Sequence, residues 1–126
     1  LIVKSKTNIA MSSKTKNIIG WLLSIILGLA FIMAGGTKLS GQAEMVQNFQ
    51  KWGLSMTIMY FIGVAEILGA IGLFIPRTRF LAVLGLMAVM IGAIGTHVLN
   101  GEQFIPPLVL LILLSALAWI RKPISN

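Results

Sequence analysis

The stretch LSMTIMYFIGVAEILGAIGLFI, Leu54 to Ile75, decides how this chain is read: 22 residues carry a single charge, Glu66, and no proline. A bilayer core about 30 Å thick is crossed by about 20 mostly apolar helical residues. The segment therefore reads as a membrane-spanning helix with a carboxylate near its middle. Three further runs follow the same rule: Ile18–Gly36, Phe80–Leu99 and Phe104–Ile120. The last opens with Pro106 and Pro107, which suit a first helical turn whose N–H groups lack partners.

Composition agrees with this. Of 126 residues, 57% are hydrophobic and 10% charged, against about 25% charged in soluble domains. So small a chain cannot enclose that much apolar surface from water, and lipid must be part of its solvent. The expected fold class is all-α: a four-transmembrane-helix bundle, with a short amphipathic interfacial helix between helices 1 and 2. The expected layout is a flexible basic cytoplasmic tail over residues 1–17, one membrane domain over 18–122, and a cytoplasmic tail over 123–126. The chain begins with Leu1, and Met11 is an alternative start.

The net charge of +7 arises from ten Lys and Arg against Glu44, Glu66 and Glu102. Lys4, Lys6, Lys14, Lys16, Arg77, Arg79, Arg121 and Lys122 flank one set of helix ends, while Lys38 and Lys51 lie at the other. By the positive-inside rule both termini are cytoplasmic, in a multi-pass protein of a bacterial inner membrane. Arg77, Arg79, Arg121 and Lys122 are thus expected as topology determinants or contacts to anionic lipid headgroups. This scattering of cations gives no nucleic-acid surface. Trp21, Phe74, Phe80 and Trp119 mark the inner boundary; Trp52 and Phe104 mark the outer one.

Between the first two runs, Met45, Val46, Phe49 and Trp52 recur at helical spacing among polar residues, the pattern of a helix lying on the outer surface or capping the bundle. Helices in lipid associate through small residues that let backbones approach. Gly28 and Gly35 on the first span, Gly63 on the second, and Gly85, Ala88, Gly92 and Gly95 on the third form the expected packing faces.

Glu66 shares its face with Gly63 and Ala70, so it points toward protein. An ionisable side chain inside a membrane is by default a functional candidate. Its partners would be Lys38 and His97, lining an outward-facing polar cavity. At 1.5 Å per residue His97 sits about 12 Å above Glu66, and Lys38 is higher still, with a stem long enough to point down. The alternative reading is interhelical glue, with Glu66 bonded to a neighbouring backbone carbonyl or threonine; the sequence leaves its protonation open. No catalytic residue is assigned, no metal site is expected, and without cysteine there is neither a disulfide nor a dithiol relay.

The runs Ala34-Gly35-Gly36-Thr37-Lys38-Leu39 and Gly63-Val64-Ala65-Glu66-Ile67-Leu68-Gly69-Ala70-Ile71-Gly72-Leu73, then Pro76-Arg77-Thr78-Arg79 with Ala82, and His97 with Gly101-Glu102, together resemble the DoxX-like family of small four-helix bacterial membrane proteins. The resemblance covers Ile18 to Arg121. It implies an inner-membrane protein whose better-studied relatives are linked to thiosulfate-to-quinone oxidation or stand beside oxidative-stress enzymes, although most members have no assigned activity. Lys38 and Glu66 occupy the family's characteristic positions. With no cysteine or cofactor motif here, no catalytic role is carried over. The expected function is that of a membrane subunit or a binding component for a small molecule, quinone among the candidates, with no catalytic activity of its own. Its partners would be the bilayer and either further copies of the chain or a redox subunit. A different class, a small proton-coupled transporter or exporter, is the alternative, although small multidrug exporters carry their acid in the first span and here that span has none. A purely structural subunit of a membrane complex is the third.

Overall fold

Ser12 starts the first helix: its hydroxyl accepts the Thr15 backbone N–H at 3.1 Å, satisfying one of the donors that every helix start leaves free. In the computed structural model, which describes residues 11–121, this helix is α1, Ser13–Leu39. It begins ahead of the apolar run, so Lys14 and Lys16 lie on its first turns. Gly41, with φ of +66°, turns the chain into α2, Ala43–Lys51. Gly53, at φ +74°, then lets it enter α3, Met56–Gly72, capped by Ser55. A non-glycine residue at either φ would be strained. After a tight turn come α4, Arg79–Leu99, and, past Asn100 and Gly101, α5, Ile105–Arg121. Among the described residues there is no strand. Residues 1–10 and 122–126, hence Lys4, Lys6 and Lys122, lie outside the described residues.

Two helices, α1 and α4, are long and apolar enough to cross a membrane. Helix α3 reaches that length only together with α2, from which it bends by 118°, and α5 is apolar but shorter. The α3 helix stops short of its apolar run because Leu54, Ser55 and Leu73–Ile75 are used for connections, whereas α5 has the length of its run, shifted by one residue.

The long helices pack as antiparallel neighbours, most extensively α1 on α3 and α4 on α5. Glycine sets the closest approach. A Cβ at Gly35 would stand 2.7 Å from the Gly63 carbonyl oxygen, and one at Gly28 would stand 2.7 Å from the Phe74 ring. The core between the helices is Leu27, Phe31, Ala70, Leu73, Val83, Leu86, Met90, Leu114 and Leu117. Only Ser24 and Glu66 are buried polar residues among those described, and the Ser24 hydroxyl donates to the Gly20 carbonyl at 2.8 Å. The exterior is apolar as well: Met33, Phe61, Leu68 and Leu81 are each more than 60% exposed, as expected for side chains that meet lipid tails instead of water.

The expected packing face of α4 is not packed against another helix. Gly85 and Ala88 are exposed, Gly92 opens onto a cavity, and a Cβ at Gly85, Gly92 or Gly95 would meet nothing within 4 Å. Within this chain α4 docks through its large residues, Val83, Leu86 and Met90, which fill more of the core than a small-residue stripe would. Close approach on the α4 side is provided from α3, where Leu86 packs on Gly69 and Ala82 on Gly72.

Candidate functional site

The Gly35–Gly63 contact places α1 and α3 so that Lys38, one turn beyond Gly35, lies beside Gly63, and Glu66 follows one turn along α3. The Lys38 stem folds back toward its own helix, donating from Nζ to the Ala34 carbonyl at 3.3 Å. This brings Nζ to 2.8 Å from Glu66 Oε1. The pair is secluded, with side-chain exposures of 12% and 2%. It is an ion pair set off the line of a hydrogen bond, so Oε1 has no aligned donor.

The pair forms part of the wall of a cavity of about 440 Å³. Val89, Met90, Gly92, Ala93, Thr96 and His97 of α4 form another wall, and Ile62 lies beside Glu66 on α3. Helix α2 closes the space with Met45, Asn48 and Phe49, followed by Trp52. Phe49 is 3% exposed and its ring is 5.1 Å from that of Trp52, which meets His97 edge-on at 5.4 Å. The volume lies in the range of small-molecule sites, and such sites are mostly apolar with a few placed polar groups.

Lys38, Glu66 and His97 therefore border one space, but His97 is not bonded to Glu66. Its Nδ1 lies 3.0 Å from Glu102 Oε1. The same carboxylate accepts from Trp52 Nε1 at 2.9 Å and from Lys51 Nζ. Hydrogen bonding from Lys51, then from Trp52, holds the Glu102 carboxyl below the usual carboxylate range. Glu102 is thus a hub that ties the end of α2 to the end of α4. Reading the sequence did not single out Glu102, Lys51 or Trp52 as site residues. Glu102, five residues after His97 and just past the Gly101 turn, is the local signal for the His97–Glu102 contact, whereas the bonds from Lys51 and Trp52 depend on where α2 lies. Among the described residues no group of three or more His, Asp or Glu is placed to hold a metal ion.

Of the remaining expected positions, Arg77 is exposed in the α3–α4 turn. Arg79 Nε donates to the Leu73 carbonyl at 2.9 Å, and Arg121 packs on Gly20. No curated protein and no solved structure matches the chain. The model of the DoxX-like family matches residues 22–120, a span that takes in most of every helix and the whole cavity, and the chain belongs to that family.

Proposed function

We propose that this protein crosses the bacterial inner membrane four times, with both termini cytoplasmic, and binds a small lipophilic molecule with a hydrogen-bonding head, of the quinone class, in the cavity under α2. The four-span reading draws on the antiparallel packing of α1, α3, α4 and α5 in one bundle with an apolar exterior. The Glu102–Lys51–His97 cluster lies at one end, and Arg79 and Arg121 lie at the other.

The observation that carries the binding reading is the Lys38–Glu66 pair at the wall of an otherwise mostly apolar cavity. A buried ion pair adds little net stability over apolar packing, so the fold alone gives no reason for it. The residues suit a quinone or quinol head. Lys38 Nζ donates to a ring carbonyl, Glu66 Oε1 accepts from a ring hydroxyl, and Phe49 and Trp52 offer aromatic surface to the ring. The chain's own part is to bind and orient the head, and such a component works beside a redox partner in the membrane.

Trp52 makes the test direct. In a Trp21→Phe, Trp119→Phe background, a short-chain benzoquinone should quench Trp52 fluorescence saturably in detergent or nanodiscs. Glu66→Gln and Lys38→Met should each weaken the apparent affinity by about tenfold, the worth of one charge-assisted hydrogen bond. Quenching that is unsaturable, or unchanged in both variants, would remove the reading.

A further inference from the structure

At the end of the bundle remote from the cavity, Trp21 of α1 is approached by two cations. The Arg79 guanidinium carbon lies 5.3 Å from the centre of its ring and that of Arg121 lies 6.0 Å away. The two guanidinium groups are within electrostatic reach of each other. No carboxylate side chain offsets them: the chain has three, with Glu44 on α2, Glu66 inside α3 and Glu102 beyond α4. Arg79 spends its Nε on the Leu73 carbonyl. Arg121 Nε and Nη2 are shut off from solvent yet have no acceptor among the described residues. A buried donor without a partner is costly, more so when charged.

Gly20 makes this arrangement possible, because a Cβ there would stand 2.5 Å from Arg121 Nε and 2.6 Å from Nη2. Two like charges at one indole, with N–H donors that have no acceptor among the described residues and no carboxylate side chain beside them, suit an anion. A guanidinium fork matches a tetrahedral oxyanion in two-point fashion.

We propose that Arg121 and Arg79, set against Trp21, bind a phosphate group, from either an anionic phospholipid headgroup or free phosphate. The cytoplasmic leaflet is rich in anionic lipid. The proposal rests on the four-span reading only for the leaflet that supplies the lipid; it is independent of the α2 cavity.

Reconstitution in nanodiscs of mixed phosphatidylglycerol and phosphatidylcholine, followed by native mass spectrometry, tests it. The wild-type protein should retain phosphatidylglycerol over phosphatidylcholine, and Arg121→Gln should lower that retention by about tenfold. Arg121→Lys should restore it only in part, because an ammonium lacks the planar fork. Gly20→Ala should lower retention with all charges kept, which guards against a folding defect in the arginine variants. Arg77→Gln, exposed in the adjoining turn, and Glu66→Gln, in the cavity, should leave retention unchanged.

A second arm titrates inorganic phosphate into lipid-depleted protein and follows thermal stability. Arg121-dependent stabilisation by inorganic phosphate without lipid retention assigns the site to the free ion; retention that excess inorganic phosphate does not displace assigns it to lipid. Equal retention in wild type and Arg121→Gln, with no stabilisation by phosphate, overturns the proposal. Loss of retention in Arg77→Gln as large as in Arg121→Gln would also overturn it, by assigning retention to the general basic charge of that end of the bundle.

Discussion

Lys38 Nζ stands 2.8 Å from Glu66 Oε1, one turn of helix to either side of the point where Gly35 and Gly63 bring α1 and α3 into contact. Among the described residues neither side chain has another charged partner, since Glu102 engages both Lys51 and His97.

The pair is consequently expected to respond asymmetrically to mutation. Lys38→Met leaves a carboxylate 2% exposed with no cation beside it, and breaking a buried pair in this way costs about 3 to 5 kcal/mol. Adding Glu66→Gln removes the stranded charge and should recover most of the loss. Thermal unfolding of the single and double variants in one detergent checks this. A double variant no more stable than Lys38→Met alone would show that the pair is not coupled.

Glycine positions are expected to divide into two groups. Gly35→Ala presses a methyl group onto backbone and the Ile67 side chain, and Gly63→Ala meets the Gly35 carbonyl and Lys38 at 3.1 Å. Since a carbonyl cannot step aside, Gly35→Ala should cost about 1 to 3 kcal/mol and weaken the Lys38–Glu66 contact. Gly85→Ala faces open space and should be neutral or stabilising by up to about 1 kcal/mol through helix propensity. Melting temperatures of the three variants read out the division.

Much of this arrangement could be read from the sequence, because apolar runs of bilayer length and their breaks at Gly, Pro and Asn mark the long helices directly. The Met45, Phe49 and Trp52 spacing likewise marks α2. The exposed small-residue face of α4 could not be read. With apolar residues on every side of α4, periodicity identifies a stripe and not the direction in which it points. Lys38, Glu66 and His97 were recognisable as unusual residues at particular depths, but rise along straight helices separates them. What joins Lys38 to Glu66 is a stem folded back along Ala34 at a glycine crossing. What separates His97 from Glu66 is a competing carboxylate, Glu102, brought round by the Gly101 turn.

Helix α2 should be a separable unit. It has nine residues, too few to persist as an isolated helix in water, and Phe49 is its buried residue. Phe49→Ala should undock it while the bundle stays folded. Hydrogen exchange over residues 43–53 should accelerate by about tenfold or more, with the interior of α1 and α4 still protected. Uniform acceleration across all helices would show instead that α2 is integral to the bundle.

Closure over the cavity should also depend on pH through Glu102. Its carboxyl is held below the usual range by Lys51 and then Trp52, so the docked state binds fewer protons than the undocked one. Linkage then gives a contribution that is complete above the ordinary carboxylate pKa of about 4.3 and is lost as pH falls through the depressed value. Docking of α2 should therefore be flat from neutral pH down to about 5 and loosen only in stronger acid. Glu102→Gln should remove that acid dependence and loosen α2 at neutral pH, because the neutral amide keeps an acceptor for Trp52 but no charge for Lys51. Trp52 fluorescence, with Trp21 and Trp119 replaced by phenylalanine, follows the transition. A profile that still turns over at acid pH in Glu102→Gln would assign the titration to another group.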